Sequence, residues 1–201
     1  MTDTPWVGDA CSLVEAFRSG ERTPLDELEV TLAAIERSDL NAFSYLDEEA
    51  AHEAAARADL DAPFGGVPVG VKELDSVAGW PYTQASVPLK DEIATHDSAL
   101  VRRVRDAGAV LVGLTTSSEF GGVNLTRTNL NGATRNPWDL TLTPGGSTGG
   151  GSAAVAGGLS PSVRAATAAV RCASRPGSPA CSGSSARTAG SRRAPRCASA
   201  R

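Results

Sequence analysis

The chain is short of the residues that most catalytic, membrane and secreted classes need. It holds two histidines, one methionine and 4% aromatic residues. No apolar run is long enough to cross a bilayer, and the first residues lack the basic start and apolar core of a secretion signal, so a cytoplasmic setting is expected. His52 lies in an alanine-rich stretch and His96 beside a helix start, neither with an evident serine or aspartate partner, which argues against a Ser-His-Asp enzyme. Three of the four cysteines, Cys172, Cys181 and Cys197, fall in the last 40 residues, leaving Cys11 alone in the body. That spacing supports neither a disulfide framework nor a zinc site, so no metal is expected.

A second shortage divides the chain. From Ser162 to Arg201 there is no Leu, Ile, Phe, Tyr, Trp, Met, Lys, Asp or Glu, while eight arginines are present. Met1 to Pro161 carries all 23 acidic residues and 11 basic ones. Residues 1–161 can therefore build a core, whereas 162–201 form a basic tail expected to be disordered.

Within the body, α/β alternation is legible. Ala10 to Arg18 reads as a helix stopped by Gly20, and Thr23-Pro24 caps a second helix whose face is Leu25, Leu28, Leu32 and Ile35. Asn41 to Leu46 reads as a strand, and Asp47 opens an alanine-rich helix to about Asp59. Ala94 to Ala107 reads as a helix with Leu100, Val101 and Val104 inward. Ala109 to Val112 follows as a short strand closing on Gly113, which suggests parallel pairing. Thr115 to Phe120 reads as a capped turn or short helix, and Asn136 to Asp139 as a fixed loop.

Two stretches invite chemistry. Gly65 to Glu73 is a valine-rich strand that delivers Lys72 at its end, where desolvation lowers an amine's pKa and leaves it able to act as a base. Thr141 to Ala156 packs five glycines into a turn that runs into an Ala/Val helix, a place where backbone N–H groups meet an anion or a polarised carbonyl. A phosphate loop would need a lysine after its last glycine, and Ser152 follows Gly151 instead.

Gly66-Val-Pro-Val-Gly-Val-Lys72, Gly79 to Ser86, Gly113 to Phe120, Asn136-Pro-Trp138 and Pro144-Gly-Gly-Ser-Thr-Gly-Gly150 stand in one order, and together they resemble the amidase signature family from about residue 8 to Pro161. The resemblance implies a mixed β-sheet flanked by α-helices and hydrolysis of a small-molecule amide by a Ser–cis-Ser–Lys triad. It assigns the lysine to Lys72 and the bridging serine to Ser147, with Gly145, Gly146, Thr148 and Gly149 against the substrate. Thr148 stands where the family usually has serine. No cofactor, membrane or specific nucleic-acid partner is implied, and a homodimer is possible. Two alternatives remain: a glutamine-amidotransferase subunit of the same family, and a non-catalytic fragment whose tail binds nucleic acid weakly.

The family's nucleophile belongs to a Gly-Gly-Ser motif 24 residues beyond the bridging serine, a place occupied here by Arg171 after Ala169-Val170. Arginine cannot attack a carbonyl at neutral pH. Reading the codons from Ser162 onward two bases out of register permits a Gly-Gly-Gly-Ser run with serine at that place, so the tail is expected to be a frameshifted product. The stretch matched is less than half the family's usual domain. Strands beside Val67 to Val71 and Val110 to Leu114 are therefore expected to be missing, with open edges and poor solubility.

Overall fold

The computed structural model describes residues 4–164. Helices α1 (Ala10–Ser19) and α2 (Pro24–Glu36) lead into strand β1 (Phe43–Leu46), helix α3 (Glu48–Ala56) and strand β2 (Pro68–Lys72). Helix α4 (Ala99–Asp106), strand β3 (Val110–Thr115), the two-residue strands β4 (Arg127–Thr128) and β5 (Gly132–Ala133), helix α5 (Gly149–Ala156) and strand β6 (Ser162–Arg164) complete the order. The main sheet runs β1-β3-β2-β6, with β2 parallel to both β3 and β6 and β1 antiparallel to β3; β4 and β5 make a separate hairpin. This is the mixed sheet with flanking helices that the family resemblance implies.

Local signals account for most boundaries. The Asp9 side chain accepts from the Ser12 N–H to start α1, and Gly20 ends it at φ 76° with its N–H bonded back to Ala16 and Phe17. Thr23, Asp47 and Ser98 cap α2, α3 and α4 in the same way. Every residue of β2 and β3 is buried, because helices cover both faces of the sheet. On one face Val69, Val71, Leu111 and Leu114 pack with Leu13, Val14 and Phe17 of α1 and Val101 and Val104 of α4. On the other, Val110 and Val112 meet Leu28 of α2 and Ala51 and Ala55 of α3. A third cluster joins Ala153 and Ala154 of α5 to Leu40, Ala42 and Leu159, which seats the start of α5 beside the sheet.

Several expectations need correction. The strands Val67 to Val71 and Val110 to Leu114 are not left open. β1 and β6 flank them from within the chain, so β2 and β3 are interior strands. Ser162–Arg164, assigned to the tail, is β6, while the disorder expected of the rest of the tail lies outside the described residues. The α2 face is rotated: Leu25 is 40% exposed, whereas Glu27 and Thr31 are buried. Glu27 tolerates burial because Arg22 Nε lies 2.8 Å from its carboxylate and the Trp6 N–H donates to it. α4 begins at Ala99 rather than Ala94, since the backbone of Ala94 bonds to Gly79 and Trp80 and the Asp97 carboxylate accepts from the Ala78 N–H. β3 continues through Gly113 to Thr115, and a single 3-10 turn, Glu119–Gly121, follows it.

Candidate active site

β2 ends at the site. Interior position and two covered faces leave Lys72 only 1% exposed, and its Nζ donates to Ser147 Oγ at 2.8 Å and to Thr148 Oγ1 at 3.1 Å. Burial pushes the Lys72 ammonium below its ordinary value, against the opposing pull of the Asp75 and Glu73 carboxylates. Glu73, the next residue, is also 1% exposed, and burial raises its carboxyl to about 7. Asn131 Nδ2 donates to both of its oxygens at 2.9 Å.

The other half of the site is the glycine turn ahead of α5. Gly145 takes φ 94°, a conformation that favours glycine, and the Gly146-Ser147 peptide is cis. Side chains from a neighbouring segment hold the turn. Asn124 Oδ1 accepts from the Gly146 N–H at 3.2 Å, and Thr126 Oγ1 both donates to the Gly145 carbonyl at 2.7 Å and accepts from the Gly149 N–H at 3.1 Å. The Gly150 N–H bonds the Thr116 carbonyl at 3.0 Å, and the Ser147 carbonyl accepts from the Ser118 N–H at 3.3 Å. A Cβ on Gly150 would come within 2.5 Å of the Ala42 carbonyl oxygen and the Thr116 nitrogen, so that glycine serves close backbone packing.

Lys72, Ser147 and Thr148 are thus brought together, with Gly145 and Gly146 beside them in the turn. The N–H groups of Gly146, Gly149 and Gly150 are taken up by protein acceptors, so these three do not point at a ligand as the sequence suggests. Sequence reasoning missed Glu73, Asn124, Thr126 and Asn131. Only Glu73, adjacent to Lys72, carried a signal that could have found it. His52 pairs with Glu29 on the surface, and among the described residues no group of His, Cys, Asp or Glu is placed to hold a metal ion. Among the same residues no helix is long and apolar enough to cross a membrane.

The sequence pattern of the Amidase family matches residues 26–163. The chain belongs to the amidase signature family. Its relatives include a glutamyl-tRNA(Gln) amidotransferase subunit from Methylacidiphilum infernorum, 41% identical over 138 residues that make up 68% of this chain and 28% of that protein. A putative amidase, AmiB2, from Mycobacterium bovis is 40% identical over 168 residues, covering 80% of this chain and 36% of its own length. A solved amidase-family structure, 6-aminohexanoate cyclic dimer hydrolase complexed with substrate, superposes with a TM-score of 0.72 at 36% identity over 77% of this chain and 33% of that one. The chain therefore spans about a third of the length of the relatives it matches.

Proposed function

We propose that the fold carries two members of a three-residue proton relay for hydrolysing a carboxylic amide, Lys72 as the base and Ser147 as the bridge. The observation that supports this most directly is the 2.8 Å contact between Lys72 Nζ and Ser147 Oγ at a lysine that is 1% exposed. Desolvation favours the neutral amine, which can accept the Ser147 proton while Ser147 takes one from a nucleophilic serine. That serine attacks the amide carbonyl, the amine or ammonia leaves with a proton, and water then releases the acid from the acyl-enzyme. Thr148 Oγ1, within reach of the same ammonium, keeps Lys72 aimed at the turn.

The nucleophile is the missing member. Arg171 occupies its place in the sequence, and an arginine there cannot form the acyl-enzyme. We infer that it does not turn over amides and that its gene, read across codons 158 to 173, shows a lost frame. The test is a matched pair: this chain and one in which the frame is restored, each given a simple aliphatic or aryl amide and assayed for ammonia. Removing the nucleophile of a cooperative triad costs on the order of a millionfold in rate. Comparable ammonia release by the two proteins would overturn the reading.

A second reading within the same chemistry draws on the amidotransferase relative at 41% identity. In it the released ammonia passes to a partner protein. Co-purification of a second polypeptide with the restored protein would favour it, and full activity of that protein alone on simple amides would disfavour it.

A further inference from the structure

Glu73 is a buried carboxylate that the relay does not use. Among the described residues no salt bridge is made to it, and the cation that acts on its carboxyl is its chain neighbour Lys72. Burying an acid without a salt bridge is costly, and it survives only where hydrogen bonds compensate. Here Asn131 donates to both carboxylate oxygens, and the side chains of Ser44 and, after it, Asn131 oppose the upward push of burial on the Glu73 carboxyl.

Asn131 sits in the turn of the β4–β5 hairpin, between Arg127–Thr128 and Gly132–Ala133. Its own backbone is fixed there, since its N–H donates to Thr128 Oγ1 at 3.0 Å and its carbonyl accepts from Asn41 Nδ2 at 2.7 Å. At the hairpin's base the Thr134 N–H bonds the Thr126 carbonyl at 3.1 Å, and Thr126 is the residue that grips both Gly145 and Gly149. The Thr134 hydroxyl lies 2.6 Å from that of Thr116, one residue beyond β3. One end of the hairpin thus touches the residue after Lys72, and the other end holds the loop that carries Ser147.

We propose that Glu73 is a positioning residue: by holding Asn131 it anchors the β4–β5 hairpin to the end of β2, and through Thr126 the hairpin keeps Ser147 within hydrogen-bonding distance of Lys72. This rests on the relay reading above for its functional meaning. The charged groups near Lys72 are Glu73 and Asp75, and those acting on Glu73 are Lys72 with the neutral donors Ser44 and Asn131. An ionised Glu73 accepts both bonds from Asn131 and also draws on the ammonium, so position and charge act on Lys72 together.

The chain offers a direct probe. Lys72 and Lys90 are its two lysines, one buried and one exposed, so labelling lysine gives two signals, of which the buried one can be followed by NMR titration. Asn131→Ala keeps the Glu73 carboxyl group and cuts the anchor. The Lys72 titration is expected to move up toward the ordinary lysine value, and exchange of the Gly149 and Gly150 amides to speed up about tenfold, the loss of roughly one hydrogen bond. A Lys72 signal and loop amides that stay where they were would overturn the proposal, leaving Glu73 a local structural residue. Glu73→Gln keeps the shape and one bond to Asn131 but removes the charge. Its expected result is a downward shift of Lys72 with loop exchange close to that of the parent, and an unmoved Lys72 counts against the proposal even if Asn131→Ala fails to fold. Ser147→Ala separates the two readings. A Lys72 that ignores this change sinks the relay itself, whereas one that responds to it but not to Asn131→Ala sinks only the anchor.

Discussion

Lys72 and Ser147 meet at 2.8 Å, yet they are held by different physics. Lys72 ends a strand whose neighbours on both sides are strands and whose faces are both covered by helices, so its place follows from sheet register and apolar packing. Ser147 sits in a turn with little apolar packing of its own, fixed by side-chain bonds from Asn124 and Thr126 and by backbone bonds to Thr116 and Ser118. The strand side is cooperative with the core. The loop side is a set of separate bonds, each worth about 1 kcal/mol. Perturbations of the strand end should therefore appear in global stability, and perturbations of the turn should appear locally.

The largest expected effect is at the strand end and depends on pH. Burial raises the Glu73 carboxyl from 4.5 to about 7. Between those values the folded chain holds a proton that the unfolded chain has released, so the contribution is fully present below about 4.5 and is lost as pH rises through about 7. Its size is on the order of 3 kcal/mol. Glu27, also raised by burial, acts in the same direction. Lys72, held below its ordinary value, contributes in the alkaline range, where its stabilising share is lost as pH falls through its folded value. Urea unfolding should thus weaken from about pH 4.5 to about pH 8, with Glu73→Gln flattening most of that slope. An equal slope in the variant would show that the strand end is not the seat of the effect.

A smaller change, confined to the turn, is expected for Thr126→Val. The substitution keeps the branched shape and deletes the hydroxyl that donates to the Gly145 carbonyl and accepts from the Gly149 N–H. Two bonds of ordinary strength amount to roughly 2 kcal/mol, which should register as faster amide exchange from residue 145 to 150 and less fully in the global unfolding midpoint. Loss of protection across β2 and β3 as well would mean that the turn and sheet form one cooperative unit.

The same contrast decides what could be read from the sequence. Hydrophobic runs, caps and glycine stops are local, and they located α1, the start of α2, α3, and the ends of β2 at Lys72 and of α4 beside Ala107. The pairing of Lys72 with Ser147 came through the resemblance of Gly66 to Lys72 and Pro144 to Gly150 to a family, not through periodicity. The rotated face of α2 was hidden because Glu27 is buried only by virtue of Arg22 and Trp6, partners that the helix's own pattern does not announce. The links through Asn124, Thr126 and Asn131 were illegible for a related reason. Asn131 and Glu73 are 58 residues apart, and polar contacts at that separation leave no periodic trace. Family length does not decide the neighbours of β2 and β3: β1 and β6 supply them from distant parts of this chain, Phe43 pairing with Thr115 and Val69 with Ser162, and no local pattern marks such pairings.

The smallest expected effect on stability is also the one that best separates a working lysine from a structural one. Lys72→Met replaces a buried amine by an apolar chain of similar length. It removes the desolvation cost of the ammonium but leaves Thr148 Oγ1, in a residue 4% exposed, without its donor, while the half-buried Ser147 hydroxyl can turn to water. These contributions oppose one another, so the net change should stay within about 1 kcal/mol of zero, as it does when buried polar groups give way to well-packed apolar ones. A lysine kept for the fold behaves differently: its loss would cost roughly 3 kcal/mol or more, the penalty for breaking a buried network that the core depends on. Thermal and urea unfolding of the single variant distinguish the two outcomes, and a near-neutral result places the reason for a buried lysine at the end of β2 in chemistry with Ser147 rather than in holding the sheet together.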